Sequence, residues 1–126
     1  MKTTSRISRY LLGIIFLVFG LNGFLHFIPT PPPHGLGGQF MGALFLSGEI
    51  NVIMALQLLA GALFLANRYV PLALALIAPV IVNILLFHLF MDLGGLPVAL
   101  VVTALWTMVF LNVRPAFAGL FVAQRA

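Results

Sequence analysis

Residues 71–90 read PLALALIAPVIVNILLFHLF, a mainly apolar run that contains no Asp, Glu, Lys or Arg. A transmembrane α-helix needs about 20 mainly apolar residues to cross the hydrocarbon core of a bilayer. The proline at the first position suits the first turn of a helix, where its missing N–H is not needed. The run therefore predicts a membrane-spanning helix.

The rest of the chain has the same character. Of its 126 residues, 63% are hydrophobic and only 6% are charged, whereas soluble domains carry about a quarter charged residues. We predict an all-α fold, a four-transmembrane-helix bundle forming one integral membrane domain over residues 1–126. The expected spans are about 10–28, 49–66, 71–90 and 96–113. Prolines at 29–33 and glycines at 35–38 interrupt the chain after the first span, and Gln39–Ser47 is expected to be a short interfacial segment.

The basic residues predict an orientation. All six flank the apolar runs on one side: Lys2, Arg6, Arg9, Arg68, Arg114 and Arg125. Because cytoplasmic loops are enriched in Lys and Arg, we expect both chain ends to be cytoplasmic, an N-in/C-in topology. The same scattered placement argues against a nucleic-acid partner, and the absence of cysteine excludes thiolate metal sites and thiol catalysis.

Polar residues inside the spans are the candidates for function. In the predicted topology, Asn22, His26, Glu49, Asn83, His88 and Asp92 all fall in the outer half of the bundle, whereas the cytoplasmic halves are almost entirely aliphatic. Asn22/His26 and His88/Asp92 are each four residues apart, which places both members of a pair on one helix face. Ionisable groups in hydrocarbon usually face the bundle interior or a water-filled cavity. We therefore expect an outer-half ligand pocket.

Structural roles compete with this interpretation. Histidine and aspartate can lie at the headgroup level, and asparagine can join neighbouring helices by hydrogen bonds. Glu49 can cap its helix near the positive end of the helix dipole. No HxxxH or HExxH spacing is present, so we predict no metal site. The chain carries no catalytic motif, and whether it takes part in catalysis stays open.

Several segments resemble DoxX-like membrane proteins, a family of small four-helix bacterial membrane proteins. They are GLNGFLHFIP at 20–29, PPP at 31–33, QFMGAL at 39–44, NRYVPL at 67–72 and APVIVNILLFH at 78–88. The resemblance implies a multi-pass protein of the bacterial cytoplasmic (inner) membrane. Some members of that family are associated with quinone-linked thiosulfate oxidation or with membrane assemblies that handle oxidative stress. Glu49 departs from the pattern, since an aromatic residue is expected after the glycine.

These observations lead to one functional hypothesis and two rivals. The first is a membrane subunit or accessory of a redox system that binds a quinone or similar lipophilic compound in the outer-half pocket. It implies a redox protein as partner besides the lipid bilayer. The second is a non-enzymatic scaffold that anchors partner proteins, and the third is a small transporter with the polar half as its vestibule. Homo-oligomerisation is open in each case.

Overall fold

The structure, a computed structural model, describes residues 2–28 and 34–123. Within these ranges the chain forms five α-helices and no strand, which confirms the predicted all-α class. The helices are α1 (Lys2–Leu25), α2 (Gly35–Ser47), α3 (Glu49–Ala66), α4 (Val70–Phe90) and α5 (Leu96–Val113). Short 3₁₀ segments, Leu93–Gly95 and Arg114–Phe121, flank α5. The proline-rich stretch 29–33 and Arg125 lie outside the described residues.

Four helices are long and apolar enough to cross a membrane: α1, α3, α4 and α5. The bounds of α3 and α5 are those expected from the sequence, and α4 begins one residue earlier than expected. The segment expected at Gln39–Ser47 is helical, but its helix already starts at Gly35. The hydropathy pattern therefore located these elements closely.

Helix α1 is the exception, because it begins at Lys2 rather than near residue 10 and ends at Leu25. Its buried positions include Ser5, Ser8, Leu12 and Phe16, spaced by three or four residues along one face. The first two turns thus extend the buried stripe with polar side chains, which a hydropathy window does not register. At about 1.5 Å per residue, the helix is about 36 Å long.

Each long helix packs against two others: α1 against α3 and α5, and α4 against α3 and α5. Helices α1 and α3 approach each other closely, since a Cβ on Gly61 would lie 2.6 Å from the backbone nitrogen of Leu17. Gly13 lies against Leu65 and Gly20 against Leu58, so the two helices are antiparallel.

The arrangement has two ends, which differ in what they carry. The "termini end" contains the starts of α1 and α4 and the ends of α3 and α5, whereas the "loop end" contains the opposite ends of these helices. Between them lies an apolar core whose largest fully buried side chains are Leu12, Phe16, Phe64, Leu74, Ile77 and Val109. The six predicted site residues lie in the loop-end half.

Candidate functional site

Asn22 and His26 stand at the point where α1 ends. Asn22 is half-buried, and its Oδ1 accepts a 2.7 Å hydrogen bond from the backbone N–H of Ile28. His26 lies past the last helical residue, with φ of 53°, and its backbone N–H donates to the carbonyl of Asn22 at 2.8 Å. The expectation that both side chains share a helix face is wrong, because the left-handed residue turns the chain away from the helix.

His88 and Asp92 are brought together, although not through their two side chains. Helix α4 ends at Phe90, and the half-buried His88 places Nδ1 3.1 Å from the backbone carbonyl oxygen of Asp92. A carbonyl oxygen only accepts hydrogen bonds, which assigns the proton to Nδ1. In the neutral ring Nε2 is then the acceptor, so the backbone selects the tautomer of His88.

The imidazole of His88 has close aromatic and backbone neighbours. The ring of Phe87 meets it edge to face with centroids 5.1 Å apart, and Phe87 in turn packs on Phe40 of α2 at 5.6 Å. On another side lies Gly95, where an added Cβ would collide with the imidazole ring. A side chain at position 95 would therefore have to displace the imidazole ring.

Glu49 and Asn83 are exposed on the surface of the described chain. The backbone N–H of Glu49 donates to the hydroxyl of Ser47 at 3.2 Å, and the amide of Asn83 donates to the carbonyl of Pro79 at 3.1 Å. The latter bond stays within one turn of α4, a pattern in which a side chain satisfies itself on its own helix. The hydrogen bonds found for the six candidate residues thus join positions no more than six residues apart.

The loop end gives no indication of a metal centre within residues 2–28 and 34–123, where no group of three or more His, Asp and Glu side chains comes together. It instead offers the half-buried imidazole of His88, which lies next to the ring of Phe87. That chemistry suits a lipophilic molecule with a hydrogen-bonding oxygen better than it suits a cation.

Sequence reasoning missed Arg9, and with it a polar region at the termini end. Arg9 is only 8% exposed, and its Nη1 donates to the backbone carbonyl of Phe64 on α3. Ser5 and Ser8 are buried on the same face. These buried polar residues precede the span expected from about residue 10, so they lie outside the halves of the spans that the sequence shows to be almost entirely aliphatic. The spacing of Ser5, Arg9, Leu12 and Phe16 is the signal that could have revealed this face.

Trp106 makes a second hydrogen bond between helices. Its Nε1 donates to the backbone carbonyl of Leu74 at 3.1 Å, which joins α5 to α4, and its ring stacks on Phe110 with centroids 5.2 Å apart. This agrees with a packing role for the residue. Leu74 is in the second turn of α4, so this bond also belongs to the termini half.

Comparison of the chain with protein-family models, with curated proteins and with solved structures finds no match.

Proposed function

We propose that this chain is a DoxX-like, multi-pass protein of the bacterial cytoplasmic membrane, a four-helix bundle with both ends on the cytoplasmic side. The five basic residues of the described ranges belong to the termini end or its turn: Lys2, Arg6, Arg9, Arg68 and Arg114. Both acidic residues, Glu49 and Asp92, belong to the loop end. This separation supports the orientation through the positive-inside rule.

The loop end, placed at the outer membrane face, binds a quinone or a similar lipophilic carbonyl compound. The observation that carries this proposal is the hydrogen bond between His88 Nδ1 and the Asp92 carbonyl. It fixes the ring and leaves Nε2 as the acceptor in the neutral ring, the polarity needed to accept the O–H of a quinol. When the ring is protonated, Nε2 donates, which suits the carbonyl of the oxidised form.

The surroundings of His88 favour an aromatic, membrane-soluble ligand. Phe87 and Phe40 supply ring surface beside the imidazole, and Gly95 leaves room for the imidazole itself. Small-molecule sites are mostly apolar with a few polar groups that set the orientation. Among the other candidates, His26, Glu49 and Asp92 belong to the same loop end. Asn22 and Asn83 hydrogen-bond to backbone atoms of their own segments.

With this ligand the chain acts as a membrane subunit or accessory of a redox system. It has no cysteine and no catalytic motif of its own. In this role electrons pass between the bound quinone and a partner protein, and the chain contributes binding and a proton acceptor.

The direct test titrates ubiquinone and menaquinone analogues into the purified protein in detergent. We expect saturable binding, weakened roughly tenfold by His88→Ala, since one hydrogen bond and its supporting ring are lost. His34→Ala is the matched control, because His34 is exposed at the start of α2 and should leave binding unchanged. Absence of saturable binding, or equal affinity in the His88→Ala variant, would overturn the proposal.

A non-enzymatic scaffold is the second candidate, and one observation favours it. The hydrogen bonds of the six loop-end residues are all local, as expected for groups that only stabilise helix ends. Helix α2 also presents large apolar side chains, of which Leu46 is 92% exposed. If co-purification recovers one stoichiometric partner while no quinone binds, the scaffold replaces the redox accessory. The apolar core between the two ends speaks against a transport path.

A further inference from the structure

The termini end contains a half-open cavity of about 250 Å³. It lies between the first turns of α1, the turn from α3 to α4, and the last turn of α5. Its polar lining consists of Lys2, Ser5, Arg6, Arg9, Asn67 and Asn112. Three valines, Val70, Val109 and Val113, form its apolar wall. The cavity holds far more than a single water molecule, and every charged side chain around it is cationic.

These positive charges have no carboxylate side chain nearby to balance them. The chain has only two acidic residues, and both Glu49 and Asp92 belong to the loop end. Two helices begin at the termini end and two end there, so their opposing dipoles largely offset one another. The side chains of Lys2, Arg6 and Arg9 therefore set the potential in the cavity, which attracts an anion.

Arg9 is held in place for such a role. Arg9 as a whole residue is 8% exposed. Its guanidinium donates through Nη1 to the backbone carbonyl of Phe64 and lies 4.4 Å from the ring centroid of Tyr10. The bond to Phe64 uses one of the five N–H donors of the guanidinium. An arginine that only sets topology needs no fixed partner, since its side chain extends freely to the headgroups. A buried, fixed arginine beside a cavity is instead typical of a binding site.

We propose that this cavity binds a phosphate group, supplied by the headgroup of an anionic phospholipid or by a soluble phosphate. Arginine suits this chemistry because its N–H groups match phosphate oxygens. Ser5, Asn67 and Asn112 add neutral hydrogen-bonding groups. Since α1 is about 36 Å long and the hydrocarbon core is about 30 Å thick, its first turns reach the headgroup level. The proposal rests on the membrane placement proposed above, but not on a ligand at His88.

Native mass spectrometry of the protein in a neutral detergent tests the site. Three probes are titrated separately: phosphatidylglycerol, phosphatidylcholine and inorganic phosphate. We expect one phosphatidylglycerol to bind in preference to phosphatidylcholine. If inorganic phosphate displaces that lipid at millimolar concentration, the cavity takes soluble phosphate, and if it does not, the site belongs to the lipid. In both cases binding should weaken with added salt.

Variants localise the binding. Arg6→Gln, at an exposed position, should weaken phosphatidylglycerol binding about fivefold, and Arg9→Gln about tenfold or more. Arg68→Gln is the matched control, because it removes the same charge from the same end but does not line the cavity. If Arg9→Gln fails to fold, Arg6→Gln and Lys2→Gln carry the test. Equal losses for Arg6→Gln and Arg68→Gln would refute the proposal. So would the combination of no preference for phosphatidylglycerol over phosphatidylcholine and no saturable binding of inorganic phosphate. Quinone binding should persist in Arg6→Gln, which keeps the two proposals separable.

Discussion

The two ends of this helical assembly use their polar side chains differently. At the termini half, Arg9 joins α1 to α3 across 55 residues of sequence, and Trp106 joins α5 to α4 across 32. At the loop end, Asn22, Asn83 and His88 bond to backbone atoms no more than six residues away. Polar groups thus connect helices at one end, whereas at the other they complete the ends and turns of single helices.

This difference concerns how firmly the helices are held to one another at each end. Hydrogen bonds between helices fix their relative positions in the termini half. The close approach of Gly61 to Leu17 lies nearer the middle of α1 and α3. The side-chain hydrogen bonds found among the described loop-end residues do not join any two of the four long helices. The ligand site proposed at the loop end and the phosphate-binding cavity proposed at the termini end lie on opposite sides of that contrast.

The largest effect should follow from removing the hydrogen bond between Arg9 and the backbone carbonyl of Phe64. Arg9→Ala deletes the charge-assisted hydrogen bond to Phe64 and leaves unfilled space, so it should lower the free energy of unfolding by about 2–3 kcal/mol. Reversible unfolding in mixed detergent micelles measures this. Arg68→Ala, at an exposed position of the same end, should cost below about 0.5 kcal/mol. If Arg9→Ala and Arg68→Ala lowered the free energy of unfolding by similar amounts, the hydrogen bond between Arg9 and Phe64 would not be what stabilises the termini end.

Trp106→Phe tests the hydrogen bond that joins α5 to α4. Phenylalanine keeps a ring that can stack on Phe110 but removes the Nε1 donor to Leu74, for an expected loss of about 1 kcal/mol. Thr107→Val is its control, because the hydroxyl of Thr107 bonds only within α5, to the carbonyl of Thr103 at 2.9 Å. The same unfolding measurement applies. An unchanged free energy of unfolding in Trp106→Phe would mean that the hydrogen bond to Leu74 does not stabilise the fold.

Gly95→Ala probes the loop end. The new methyl group should push the imidazole of His88 away from the Asp92 carbonyl, costing about 0.5–1 kcal/mol because only a side chain has to move. Nitrogen chemical shifts of ¹⁵N-labelled histidine report the lost Nδ1 bond directly. In Gly94→Ala the nearest atom to the new Cβ is the Asp92 Oδ1 at 3.5 Å, an ordinary contact, so the His88 signals should stay in place.

Asn83→Leu should have the smallest effect, within about 0.5 kcal/mol, because the amide bonds only to its own helix on an exposed face. Asn22→Leu should cost more, about 1 kcal/mol, since the backbone N–H of Ile28 loses its acceptor. Thermal unfolding of the two variants under the same conditions tests both expected losses of stability. A large loss for Asn83→Leu would point instead to a contact with a partner or a second copy.

Much of the fold was predictable because it depends on local composition. The lipid requirement for about 20 apolar residues located α3, α4 and α5 to within one residue. The start of α1 was not predictable in this way, since Ser5, Ser8 and Arg9 are polar and their burial depends on packing against other helices. Within the candidate site, sequence spacing anticipated that His88 and Asp92 lie close together, but not that Asp92 lies past the end of α4 and offers its backbone carbonyl. It failed for Asn22 and His26, because the left-handed conformation of His26 ends the helical periodicity.

The sequence by itself determined that this chain is helical, which segments are long and apolar enough to cross a membrane, and which end carries the positive charge. These properties follow from summed hydrophobicity and charge, which need no knowledge of neighbours. Only the tertiary structure decided that Arg9 and Trp106 reach across to other helices, that a basic cavity lies at the termini end, and that a backbone carbonyl orients His88. Each of these depends on the register between helices, which close contacts such as Gly61 against Leu17 define.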